Sequence, residues 1–383
     1  MIPRTIYNEE HRLFYSTVED YVNSEIVPNH AQWERDHLVP REAWLRAGEM
    51  GILALQVPEE YGGLDIQDYR YNAMITEILG IAGASGPGVG FQVHSDIVVP
   101  YVLHYANEET KRKFLPGMVT GEIIGAICMT EPNAGSDLQG IRTTAIDKGD
   151  HYLVNGSKTF ISNGYQADMG VVAVKTDPTQ GAKGTSLLAI DFHLKGVSKG
   201  KPFEKIGLHA QDTCEVFFDN VEVPKSALLG AEGRGFALMM QELPQERLGL
   251  AVFGLASAEG ALKHTIQYVK DRTAFGKQVA EFQNTRFKLA ELQTAIDMGR
   301  VYMDRLVELH AEGKCDAAMA SAAKFAMSDL QCRVMDECLQ LHGGYGYIWE
   351  FFIARAYADA RVQRIYGGTN EIMKELVARK VLS

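Results

Sequence analysis

The sequence predicts an α+β fold in which helices, then a block of strands, then long helices follow one another along the chain. Three observations carry this. Phe14, Val18, Tyr21, Val22 and Ile26 fall at helical spacing near the start. From about Gly121 the pattern turns to period-two, β-branched runs. After Gly235 the helical period returns. Leu289, Leu292, Ile296, Gly299, Met303 and Leu306 advance by alternating steps of three and four, and Met327, Leu330, Val334, Cys338 and Leu341 repeat the pattern. Apolar stripes of that length belong to long helices packed on other long helices. The strand–helix alternation of a doubly wound sheet is missing. The expected domains are residues 1–122 (helical), 123–234 (β) and 235–383 (helical), within the two to three that 383 residues suggest.

Pro28 is expected to stop the first helix. Tyr61-Gly62-Gly63 and the glycine-rich stretch Gly83 to Gly90 punctuate short helices, the latter as a helix–helix loop or as a device that deepens a cavity. His151 to Val154 and Ser157 to Ile161 flank Asn155-Gly156, which suits a type I′ turn and predicts a hairpin. Gly170 to Lys175, Ser186 to Phe192 and Cys214 to Val223 read as strands, with Thr176 to Gly184 as a polar tip.

Composition excludes several classes. Lys and Arg total 38 against 49 Asp and Glu, a net charge of −11, so a basic nucleic-acid footprint is missing. A phosphorylated small ligand needs only a local basic patch and stays open. No run reaches the ~18 apolar residues of a membrane span. The start, Met1 to Glu10, resembles neither a signal nor a transit peptide. A bacterial cytoplasmic protein is expected, or a mitochondrial matrix protein if a leader has been removed. Cys128, Cys214, Cys315, Cys332 and Cys338 are scattered without a C-x-x-C pair, so reduced thiols are expected.

Common chemical signatures are also missing. The chain has no G-x-G-x-x-G, P-loop or H-E-x-x-H, and its histidines form no metal-like cluster, so no metal is expected. Gly196 to Gly200 fits G-x-S-x-G, but Lys201-Pro202 follows where a nucleophile elbow needs a helix, so a surface turn is expected. Asn155-Gly156-Ser157 matches a glycosylation sequon inside the predicted turn.

Met129 to Asp137 is dense in small and hydroxyl residues where the β block begins. Alone it suits either an ordinary capped turn or the edge of a pyrophosphate or flavin. It is followed in order by Asp271-Arg272-Thr273-Ala274-Phe275-Gly276-Lys277, Gln283, Leu341-His342-Gly343-Gly344-Tyr345-Gly346 and Ile365-Tyr366-Gly367-Gly368-Thr369-Asn370-Glu371. Together these resemble the acyl-CoA dehydrogenase family over essentially the whole chain. Ser85-Gly86-Pro87-Gly88, His94 to Val98 and Leu243 to Leu248 look most like its long-chain members.

The resemblance implies an N-terminal helical domain, a middle β-barrel or sandwich and a C-terminal four-helix bundle. It implies a homotetramer with non-covalent FAD, oxidising an acyl-CoA to a trans-2-enoyl-CoA and passing electrons to an electron-transfer flavoprotein. A base takes the α proton and the β hydrogen leaves as hydride to the flavin. Many members carry the base in the segment where this chain has Gly367, which has no side chain. Other members carry it on a C-terminal helix, and the matching residue here is Glu246. Read locally, Pro244 suits a first helical position and puts Glu246 in a first turn. There burial would raise the carboxyl pKa and the helix N-terminus would lower it.

Further roles follow by position. Ile127, Met129, Thr130, Gly135 and Ser136 would line the flavin, with Ser136 also near the CoA. Phe160, Ile161 and Ser162 would supply an aromatic wall and a hydroxyl. Asn133, at a usual glycine, would keep a left-handed backbone. Arg272, Phe275, Phe282, Gln283, Gln340, Leu341, Gly343 and Gly344 would contact the FAD of a neighbouring subunit, while Thr369, Asn370 and Glu371 would meet the adenine diphosphate end of the cofactor. Leu243, Arg247, Tyr366 and Gly368 would meet substrate, Arg247 through its CoA, and the Gly367 amide would polarise the thioester carbonyl. Branched-chain or terpenoid acyl-CoA oxidation is the nearest alternative, and a non-catalytic acyl-CoA or flavin binder a more distant one.

Overall fold

A computed structural model of the chain describes residues 2–383. Helices come first: α1 (Glu9–Tyr21), α2 (Val27–Asp36), α3 (Arg41–Glu49), α4 (Tyr69–Ile81), α5 (Ser85–Gln92), α6 (Val99–Tyr105) and α7 (Glu108–Thr120). Gly121, at φ +78°, ends α7 and turns the chain into the strands.

Two expectations fail here for the same reason: the helices continue through residues that usually break them. A π-helical turn, Val22–Ile26, joins α1 to α2, and Pro28 sits in the first turn of α2, where a missing N–H costs little. Gly83 does turn, at φ +70°, but the glycines after it lie inside α5. A Cβ at Gly86 would fall 2.5 Å from Ala210 and one at Gly88 2.7 Å from Phe253, so these glycines bring α5 close to its neighbours. A second π turn, Val93–Val98, carries α5 into α6. His94 in that turn is fully buried; its Nδ1 accepts from the Gly125 amide at 3.1 Å and its Nε2 meets the Met118 carbonyl at 2.9 Å. Those contacts leave the ring a structural neutral group that anchors the first strand to the helices.

The strands are β1 (Gly125–Cys128), β2 (Thr144–Asp147), β3 (His151–Ser162), β4 (Met169–Lys175), β5 (Thr185–Asp191), β6 (Val197–Lys199), β7 (Thr213–Pro224) and β8 (Leu228–Leu229). They form one sheet in the order β6-β7-β3-β2-β4-β5-β8, with β1 added parallel to β4. The side chains of β4 alternate between two cores. Val172 and Val174 face Leu188, Ile190 and Val216 inside the folded sheet. Val171 and Ala173 face Phe114, Leu115 and Met118 of α7.

The Asn155-Gly156 hairpin does not form; both residues lie within β3. Asn155 exchanges hydrogen bonds with Asn220 of β7, and the register slips at Gly156 as a bulge. A Cβ at Gly156 would fall 2.5 Å from the Thr143 hydroxyl, which explains the glycine without a turn. The sequon therefore lies along a strand. Gly196 to Gly200 contains β6, which pairs with β7, so this segment is an edge strand and not a bare turn; no helix follows and Ser198 is exposed.

The last block opens with α8 (Gly235–Asp271), followed by the small hairpin β9 (Thr273–Ala274) and β10 (Lys277–Gln278). Then come α9 (Gln283–Ala311), α10 (Ala317–His342), α11 (Phe352–Ala360) and α12 (Asn370–Leu382). Leu292, Ile296 and Met303 of α9 and Met327, Val334 and Cys338 of α10 pack on Leu248, Leu255 and Leu262 of α8. All five cysteines are free thiols. Among the described residues no helix is long and apolar enough to cross a membrane, and no His, Cys, Asp or Glu group could hold a metal ion.

Candidate active site

A cleft of about 550 Å³ opens where the three blocks meet. Val89, Gln92, Val93 and Ile97 supply one wall from α5 and the π turn. The ends of β1 and β3 supply another, through Ile127, Met129, Thr130, Phe160, Ile161 and Ser162, joined by Gly135 and Ser136. Leu243, Glu246, Arg247 and Leu250 of α8 face them, and Tyr366, Gly367 and Gly368 close the floor. Fourteen residues singled out in the sequence thus line one cavity.

Glu246 is not in a first turn. α8 starts at Gly235, and Pro244 lies inside it. The burial of α8 among α4, α9 and α10 overrides the local preference of proline for a helix start. No helix N-terminus is left to stabilise a carboxylate here. The residue is 7% exposed, and burial pushes the Glu246 carboxyl up to about 7. A hydrogen bond from the Tyr101 hydroxyl (3.1 Å) and the Arg247 charge oppose that rise, while Glu242 adds to it. Glu242, one turn earlier, accepts from Tyr105 at 2.6 Å and meets His104 Nδ1 at 2.9 Å.

Gly367 and Gly368 have φ of +63° and +94°. A Cβ at Gly367 would fall 2.2 Å from Leu250 Cδ1, so Leu250 occupies the space a side chain at 367 would take. Two buried cations hold the carbonyls of this loop. Arg247 Nε reaches Gly367 O at 3.4 Å, and Lys324 Nζ donates to Gly368 O at 2.7 Å and Asn370 Oδ1 at 3.0 Å. Arg247 is 6% exposed and has no ion pair among the described residues. Burial beside Arg247 lowers Lys324 to about 8.

The hydroxyl-rich turn is fixed from beneath. Lys158 is 0% exposed and donates to Glu131 Oε1 at 2.7 Å. Glu131 also takes the Arg142 and Thr143 amides. Burial alone would raise the Glu131 carboxyl; Lys158 and these hydrogen bonds outweigh it and hold the pKa low. The Thr159 amide bonds Thr130 O at 2.9 Å, tying the turn to β3. Asn133 does not take the expected left-handed backbone; that conformation occurs nearby at Phe160 (φ +58°) and Asn163 (φ +63°). The side-chain hydroxyls of Thr130, Ser136 and Ser162 line the cleft with no protein hydrogen bond among the described residues, beside apolar Ile127 and Ile161. A flat group with polar edges and an apolar face fits that wall.

The remaining predicted residues lie elsewhere. Arg272, Gln340, Leu341, Gly343 and Gly344 line a separate open cleft at the ends of α8 and α10. Phe275 is 96% exposed, its ring edge-on to Phe282, and Gln283 is exposed at the start of α9. Thr369 caps α12 and Glu371 is exposed in its first turn. Asn370 is buried, its side chain engaged by Lys324, Ser328 and Asp329, so it supports the loop from inside. Sequence reasoning missed Tyr101, Lys158, Leu250 and Lys324. For Tyr101 and Lys324 the available signal was a tyrosine or lysine set in an apolar run, which needs a buried partner.

Family models for the acyl-CoA dehydrogenase N-terminal, middle and C-terminal domains match residues 8–122, 126–221 and 233–382. The chain is 47% identical over 381 residues to the pig (Sus scrofa) protein named long-chain specific acyl-CoA dehydrogenase, mitochondrial, covering 99% of this chain and 88% of that one. A crystal structure described as acyl-CoA dehydrogenase from Geobacillus kaustophilus superposes with a TM-score of 0.95 at 48% identity, covering 98% of both chains. A Mycobacterium smegmatis structure described as glutaryl-CoA dehydrogenase in complex with FADH2 gives a TM-score of 0.92 at 26% identity, covering 98% of this chain and 95% of that one. With three domain models in register and a near-full-length relative at this identity, the chain belongs to the acyl-CoA dehydrogenase family of oxidoreductases.

Proposed function

We propose that this enzyme oxidises a long-chain acyl-CoA to the trans-2-enoyl-CoA, with Glu246 as base and FAD held non-covalently. The observation that carries the reading is a buried carboxyl, opposite a side-chain-free Gly367 loop, in a cleft whose other wall offers unpaired hydroxyls. The likeness to the pig long-chain protein supports the chain-length class.

Bound flavin supplies the acceptor for the β hydrogen. The protein's own residues do the rest. Glu246, raised to about 7 by burial, takes the α proton near neutral pH. The Gly367 amide donates to the thioester carbonyl, where negative charge develops. Arg247 and Lys324 hold the carbonyls of Gly367 and Gly368 and so fix which way those peptides point. Leu243, Tyr366 and Ser136 flank the thioester, and Thr130, Phe160, Ile161 and Ser162 form the flavin wall. Arg272, Gln340 and Gly343 take the flavin of a neighbouring subunit in a homotetramer, and an electron-transfer flavoprotein accepts the electrons.

Anaerobic titration of the flavin-loaded protein with butyryl-, isovaleryl-, citronellyl- and palmitoyl-CoA tests this. Bleaching of oxidised flavin is expected, most effectively by palmitoyl-CoA. Preferential bleaching by a branched thioester would overturn the substrate class; a protein that none of them bleaches would overturn the reaction.

A further inference from the structure

Glu246 and Tyr101 come from the last and the first helical blocks, 145 residues apart, and meet at 3.1 Å. Tyr101 stands in α6, just past the π turn, and its side chain is 0% exposed. Its hydroxyl donates to Glu246 Oε1. That bond takes one of the lone pairs on Oε1 and leaves Oε2, with both of its lone pairs open, the freer oxygen to take a proton. The engaged oxygen also fixes the rotation of the carboxyl group. We propose that Tyr101 is the positioning residue of the Glu246 base: its hydroxyl holds Oε1 and leaves Oε2 as the atom that receives the substrate proton. This rests on Glu246 being the base.

The groups around the carboxyl are few. From α6 the neighbour is Tyr101, and from α8 they are Glu242 and Arg247. Glu242 is already engaged by Tyr105 and His104. Arg247 points to Gly367 O and Ser321, so Tyr101 is the neutral donor on the carboxyl itself. A hydrogen bond to the ionised form favours ionisation. Removing it shifts the base's titration upward and frees the carboxyl to rotate.

The test is Tyr101→Phe in the flavin-loaded enzyme, with Glu246 followed by infrared titration. Its carbonyl band is the one lost in Glu246→Gln. The band is expected to titrate near 7 in the parent protein and about one unit higher in Y101F. Flavin reduction by the preferred thioester should slow about tenfold at neutral pH, with its pH profile displaced by the same amount. Site-specific 3-fluorotyrosine at 101, a stronger donor of nearly the same shape, should move both midpoints downward, and it keeps the test decisive if Y101F folds poorly. Midpoints that stay put in both variants overturn the proposal. A shifted infrared midpoint in a protein whose flavin no thioester reduces would leave the Tyr101 contact standing and overturn the proposed function instead.

Discussion

Replacing Glu246 by Gln should make the protein more stable at high pH while removing its activity. The carboxyl has an ordinary pKa of 4.5 when unfolded and about 7 in the folded protein, because burial disfavours its charge. Below about pH 4.5 both states are protonated and the carboxyl costs nothing. Between the two values the folded state keeps a proton the unfolded state has lost, so stability falls as pH rises. Above pH 7 the whole penalty is present, about 3 kcal/mol. Glutamine keeps the shape and an acceptor for Tyr101 but never ionises. E246Q should therefore gain about 4 °C in melting temperature over the parent protein between about pH 4.5 and about pH 8.5. Calorimetry of both flavin-loaded proteins at the two pH values measures this. Flavin reduction by thioester should fall about a thousandfold in the same variant. An advantage of equal size at both pH values would refute the reasoning, since it would mean that Glu246 does not titrate in that window.

Gly367→Glu should destabilise by about 1–3 kcal/mol, because its Cβ meets Leu250 at 2.2 Å and φ is +63°; denaturant unfolding reads this, and adding Leu250→Ala should recover part of the loss. Lys158→Met should strand the Glu131 carboxylate and cost about 3–5 kcal/mol, with weaker flavin retention on gel filtration. Gly88→Leu should lower the melting temperature by crowding Phe253, while Val89, not Gly88, lines the cleft; a shortened chain-length preference with unchanged stability would contradict that placement.

Much of the fold was legible because apolar periodicity is a direct record of burial. The stripe from Leu289 to Leu306 reads as one face of α9, and its residues do face α8. The errors came where a local rule met a stronger tertiary demand. Pro244 reads as a helix start, yet the helix runs through it and buries Glu242 and Leu243 on one side and Glu246 and Arg247 on the other. Asn155-Gly156 reads as a turn, yet Asn155 is claimed by Asn220 on the neighbouring strand. Within the site, residues on short contiguous segments, such as Thr130 to Ser136 and Phe160 to Ser162, could be named in advance. Tyr101 could not, since its partner lies 145 residues away and no spacing rule reaches that far. Leu250 was missed because its part is to fill space that Gly367 leaves, a relation visible only once the two are side by side.

The π turn between α5 and α6 joins two halves of one helical rod. Val89 and Gln92 on the near half and Val93 and Ile97 in the turn itself face the cleft, while Tyr101 on the far half reaches the Glu246 carboxyl. An α-helix advances about 100° per residue, and a π turn holds one residue more than an α turn. Wound as a plain α-helix, the same residues would swing everything beyond the joint by about 100°, carrying the tyrosine away from the carboxyl. The π turn absorbs the extra residue and keeps the two halves in phase. One rod can therefore present the cleft wall from one half and the group that touches the base from the other, and deleting a residue within Val93–Val98 should leave both faces in register while the wide turn closes to an α turn.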